Sequence, residues 1–83
     1  MKVKIINAQR VLFNEEAKEV VLPGYDGEFS VLDFHQPCLY ALRQGQIKVR
    51  LKVAADKEKR FPIKNGIAKV DFAGLSVIAE SYF

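Results

Sequence analysis

Hydrophobic and polar residues alternate with a period of two along most of this chain. Met1, Val3 and Ile5 alternate with Lys2 and Lys4. Ile47, Val49, Leu51 and Val53 alternate with Lys48, Arg50 and Lys52 without a break. Ala68, Val70 and Phe72 stand against Ile67, Lys69 and Asp71, and Leu75, Val77 and Ala79 against Ser76, Ile78 and Glu80. Successive side chains of a strand point to opposite faces, so each segment buries one row and solvates the other. Turn signals separate the runs: Asn14-Glu15-Glu16, Pro23-Gly24, Asp26-Gly27, Gln44-Gly45, Asp56-Lys57-Glu58-Lys59, Asn65-Gly66 and Ala73-Gly74. Asp26-Gly27 and Asn65-Gly66 both suit tight turns that need positive φ. The pattern predicts strands near 2–7, 10–14, 16–22, 28–32, 38–42, 46–54, 59–64, 67–72 and 75–80. Residues 14–21 carry helix formers, but alternation of Lys18, Val20 and Leu22 with Glu19 and Val21, closed by Pro23, favours a strand. Short strands and turns at regular spacing give an all-β class, sandwich or barrel.

Length makes this one domain, 1–83, burying about 60–65% of its unfolded surface. No run of about 20 apolar residues is present, so no direct membrane insertion is expected. The N-terminal MKVKIINAQ alternates and lacks the apolar block and small-residue cleavage site of a signal peptide. The single cysteine cannot form an internal disulfide and favours a reducing compartment. The net charge of +3 is a small excess, weak as a sign of nucleic-acid or membrane binding.

The search for chemistry yields no enzyme. One cysteine and one histidine cannot supply the usual zinc ligand set. His35 and Cys38 are three apart, which in a strand means opposite faces, and CLYAL reads as an apolar strand around a buried thiol. No phosphate-loop glycine pattern occurs. Glu15-Glu16 and Asp26 with Glu28 read as solvated turn carboxylates. The basic row Lys48, Arg50, Lys52 has no interleaved aromatic, while Phe13, Phe29, Phe61 and Phe72 read as core. A freestanding β-barrel that binds single-stranded nucleic acid stands as the alternative function.

A longer motif carries a resemblance. Val21-Leu22-Pro23-Gly24, Asp26-Gly27-Glu28-Phe29-Ser30-Val31-Leu32, His35-Gln36-Pro37-Cys38-Leu39-Tyr40-Ala41-Leu42 and Gly45-Gln46-Ile47 resemble the epsilon subunit of F-type ATP synthases. The match runs without a gap from Leu22 to Ile47, and residues 63–70 and 75–80 resemble the end of the same domain. Departures fall at Ser30, usually glycine, at Asp33-Phe34, usually proline-glycine or similar, at Cys38, usually leucine, and at Lys64-Asn65-Gly66, where a double glycine is usual.

The resemblance implies a small β-sandwich of two antiparallel sheets, with about eight to ten short strands and no C-terminal helical domain. It implies a non-catalytic rotor subunit of the central stalk, connecting the gamma subunit to the c-ring of a proton- or sodium-translocating synthase. No cofactor and no nucleic-acid partner are expected. The location implied is the cytoplasmic face of the inner (plasma) membrane, as a peripheral part of the complex. Because the chain starts at Met1 and stops after its last strand, a naturally short member is expected, without self-inhibition by a helical hairpin. On the c-ring side the implied contacts are Glu28, Phe34 and His35; on the gamma side they are Asn7 and Tyr40. A pH-tuned contact and a hydrogen bond within its own loop both suit His35. Two interfaces on so small a domain predict exposed apolar residues, with Tyr25, Phe34, Tyr40, Tyr82 and Phe83 as candidates.

Overall fold

The computed structural model describes residues 1–33, 36–53 and 57–82. Among these residues seven strands follow in chain order: β1 (Lys2–Ile6), β2 (Val11–Gly24), β3 (Gly27–Val31), β4 (Cys38–Leu42), β5 (Gly45–Leu51), β6 (Glu58–Asp71) and β7 (Gly74–Ser81). The described residues contain no helix, in keeping with the all-β class.

Seven strands replace the nine expected segments because β2 and β6 are each 14 residues long. The turns expected at Asn14-Glu15-Glu16 and Asn65-Gly66 are not turns. Glu15 and Glu16 lie in the β1–β2 ladder opposite Val3 and Lys2. Gly66 lies opposite Ala79 in the β6–β7 ladder. Positive φ occurs at Gly27, as expected for Asp26-Gly27, and at Gly74 rather than Gly66. Register shifts at Ala17/Glu19 and Ile63/Asn65 mark where the two long strands change partners. A bulge bends a strand and raises its twist.

Each long strand therefore serves two layers. The first half of β2 pairs with β1, and its second half pairs with β5 on one side and β3 on the other. The first half of β6 pairs with β5, and its second half runs between β7 and β4. One layer reads β4–β6–β7–β1–β2 and the other β3–β2–β5–β6. All pairings are antiparallel except β1–β7, which is parallel, with Lys2 opposite Gly74 and Ile6 opposite Ile78.

The inward rows fill the space between. Val3, Ile5, Val20, Leu22, Val31, Ile47, Val49, Ile63 and Ala68 are fully buried. Burying each of the larger side chains is worth about 1.5–3 kcal/mol. Phe13 joins this core and meets half-buried Phe61 edge-on, with ring centroids 5.8 Å apart. Three expected core residues lie outside it. Phe72 is 93% exposed because the chain turns just there, between β6 and β7. Val53 is equally exposed, because β5 ends at Leu51. Cys38 is exposed because it opens β4, and burial is complete only at Leu42.

Candidate functional site

The alternation that builds the core also defines an outer surface, and on one layer that surface is apolar where solvent should favour polar groups. Register fixes its composition. Ala41 lies opposite Ile67, Ile67 opposite Ile78, Ile78 opposite Ile6, and Ile6 opposite Val11. Five strands thus contribute one row of outward apolar side chains, spanning roughly 19 Å at about 4.8 Å per strand. Ile67 is 58% exposed and Ile78 63%. Leu39, two residues from Ala41 on β4, is also exposed. Single exposed apolar residues are ordinary, but a contiguous row marks an interaction surface. A broad groove over this row is bordered by Asn7 and by exposed Tyr25 from the β2–β3 turn.

Asn7 is buried and its amide is committed to the fold. Its Oδ1 accepts from the backbone N–H of Gln9 and of Arg10, at 2.9 and 2.8 Å. Its Nδ2 donates to Ser81 Oγ at 2.9 Å. The side chain caps the β1–β2 turn and ties it to the end of β7, so it shapes the groove. Tyr40 shares its strand parity with buried Leu42 and points inward, its ring 4.3 Å from that of Phe29. Burial, with hydrogen bonding to the Cys38 thiol second, raises its hydroxyl above the ordinary tyrosine range. On this strand Leu39 and Ala41, not Tyr40, are presented outward.

Glu28 stands exposed at the start of β3, beside the turn made by Gly27 at φ 118°. Its carboxylate meets Lys48 Nζ at 3.4 Å. The connection after β3 leaves from the other end of that strand, at Leu32 and Asp33. Phe34, His35 and Phe83 lie outside the described residues. Asp33, one of the family departures, has a clear local partner. Its carboxylate contacts the Met1 amino group at 2.8 Å, and that amine also donates to the carbonyl of Ala17 at 2.9 Å. The hydrogen bond and charge of the amine hold the Asp33 carboxyl below the ordinary aspartate range. Ser30, another departure, sits in the β3 ladder opposite Val21. Tyr82 is exposed, its hydroxyl accepting from Gln44 Nε2 at 2.8 Å.

The remaining charges are unevenly placed. Lys48, Arg50, Lys52, Lys59 and Arg60 each meet a glutamate: Glu28, Glu19, Glu16, Glu15 and Glu58 respectively. The basic row that suggested nucleic-acid binding is thus matched carboxylate for cation. No group of His, Cys, Asp and Glu among the described residues could hold a metal ion.

The model of the family described as "ATP synthase, Delta/Epsilon chain, beta-sandwich domain" matches residues 1–83. The chain belongs to this family. It is 33% identical over 81 residues to an ATP synthase epsilon chain of Rickettsia bellii, spanning 98% of this chain and 75% of that one. An epsilon chain of Maricaulis maris is 38% identical over 76 residues, 92% of this chain and 55% of the relative. One of Mesorhizobium japonicum is 32% identical over 80 residues, covering 58% of its own length. This domain therefore spans a little over half the length of several epsilon chains that it matches. Among solved structures, the fold matches a chain in the central stalk/c-ring of the Tetrahymena thermophila mitochondrial ATP synthase with a TM-score of 0.81 at 13% identity, covering 96% of this chain and 63% of that one. A chain of the Euglena gracilis mitochondrial ATP synthase gives 0.80 at 20% identity, covering 98% and 49%. As an epsilon-type sandwich, the molecule has its apolar outer row on β4, β6, β7, β1 and β2. Sequence reasoning assigned Ile67 and Ile78 to the outer row but did not see them as a surface for a partner. The available signal was isoleucine in rows whose other members are lysine, aspartate, serine and glutamate.

Proposed function

We propose that this chain acts as a non-catalytic epsilon subunit in the rotor of an F-type ATP synthase. It joins the gamma subunit to the c-ring and helps couple proton or sodium flow to ATP synthesis. The observation that carries this reading is the apolar row from Ala41 to Val11, which suits docking against gamma. Glu28 is assigned to the c-ring side, together with Phe34 and His35 of the connection that follows the other end of β3, and the groove rim at Asn7 with the Tyr40 strand to the gamma side. No helix among the described residues is long and apolar enough to cross a membrane. Attachment through gamma and the ring is thus proposed, at the cytoplasmic face of the inner (plasma) membrane. A packed β-core deforms little under load, which suits a part that turns with its neighbours. Affinity capture of the tagged chain from gently solubilised native membranes should recover gamma and the ring subunit together. Recovery of both at background level would sink the proposal.

A further inference from the structure

The apolar row is flanked on one side by uncompensated positive charge. Two residues along each strand, the next outward row reads Leu39, Lys69, Ser76, Lys4 and Asn14. Lys4 and Lys69 stand on either side of Ser76, two strands apart, or about 10 Å. Among the described residues neither has an ion-pair partner, whereas Lys48, Arg50, Lys52, Lys59 and Arg60 in the other layer all do. On the opposite flank of the apolar row, Lys64 and Glu80 satisfy one another at 3.9 Å. The surface is therefore asymmetric: an apolar row, a flank of mixed charge with Lys64 and Glu80 paired and exposed Arg43 beyond the end of β4, and a flank that carries only cations.

We infer that Lys4 and Lys69 select and orient the docking partner by pairing with carboxylates. The partner's matching surface is an apolar strip with acidic side chains along one edge only. The spacing of i and i+2 residues places those carboxylates about 7 Å to one side of the strip. Charges at an interface rim add to encounter rate and register more than to raw affinity. The two lysines fix which way round the partner lies: turned end for end, it would bring its carboxylates against the Glu80 flank. This inference rests on the docking reading above and adds the chemistry of the surface that docks.

The test measures binding of the purified chain to the gamma subunit of the same synthase across 50–500 mM salt. Wild type should associate more slowly as salt rises. The double variant Lys4→Glu/Lys69→Glu should bind about tenfold more weakly or worse at low salt, with a flattened salt dependence. Lys4→Gln/Lys69→Gln should fall between. Both sites are exposed, so circular dichroism and thermal melting should match wild type. Lys57→Glu, an exposed control just before β6, should bind like wild type. If gamma binds wild type and the double Glu variant alike, this inference fails while the docking reading survives. If wild type does not bind gamma, the docking reading itself fails. Equal loss of binding to vesicles of anionic phospholipid, with gamma binding unchanged, would overturn the assignment to a protein carboxylate surface.

Discussion

Gly66 passes so close over Ile78 that a Cβ on Gly66 would lie 2.9 Å from the Ile78 carbonyl oxygen. Neighbouring backbone at Ala79 also crowds the same point, at 3.2 Å. This glycine serves a close crossing of β6 over β7, not a turn. Gly66→Ala should destabilise the domain by about 1–3 kcal/mol, the cost of forcing volume into a packed site. Urea unfolding would show a lower midpoint with an unchanged slope.

Gly74 should tolerate less. Its φ of 142° is unfavourable for a side chain, and a Cβ there would collide with the Lys2 carbonyl, where the parallel β1–β7 pairing begins. Gly74→Ala should cost more than Gly66→Ala and lower the melting temperature by at least as much. The Asp71 carboxylate supports this turn by accepting from the Ala73 and Gly74 N–H groups at 2.8 and 3.2 Å. Asp71→Ala should therefore cost about 1 kcal/mol.

The outer row separates stability from assembly. Ile67→Asp and Ile78→Asp, singly or together, should shift stability by about 1 kcal/mol or less, because both side chains already face water. Binding to gamma should fall by at least about tenfold, as expected for central contacts of an interface. Calorimetry on the free domain and titration against gamma read the two effects apart.

Asp33 should make the domain acid-sensitive. Its carboxyl is held low in the folded protein by the Met1 amine. Its contribution is full above the pKa of an unfolded aspartate, about 4. It then declines as pH falls through the lower folded value. Asp33→Asn should remove that part of the acid sensitivity while leaving the rest of the stability–pH curve in place. Chemical-shift titration of the Asp33 carboxyl should place its midpoint below those of solvated aspartates.

Glu28→Gln should leave the melting temperature nearly unchanged, because the exposed pair with Lys48 is worth about 0–1 kcal/mol. If Glu28 meets the ring, reconstituted synthase should show reduced coupling between ion flow and ATP synthesis. Unaltered coupling would argue against that contact.

Period-two alternation located β1, β5 and β7 closely, because a half-buried strand writes its two faces directly into neighbouring residues. It failed at Asn65-Gly66 and Asn14-Glu15-Glu16 for a shared reason. Those residues have turn chemistry, but whether the chain turns depends on partners distant in sequence, here β7 and β1. The apolar run CLYAL predicts a buried Cys38 and alternation predicts a buried Phe72, but neither pattern can show where a sheet stops covering its strand. Ile67 and Ile78 were legible as outward residues. Their union with Ile6, Ala41 and Val11 into one row required register, a property of pairs of strands. The Asp33 contact with Met1 joins residues without any shared pattern, and no local rule would have found it.

The sharing of β2 and β6 between both layers has a mechanical meaning. In a sandwich joined only by loops, a sideways load makes the sheets slide on their oily interface. Here two unbroken polypeptide cables cross from one sheet to the other, so sliding would have to tear ladders in both at once. The domain has no slip plane. Pulled at opposite ends in a single-molecule experiment, it should rupture in one step, and the rotor role proposed above would gain from having nothing within the domain that can lag.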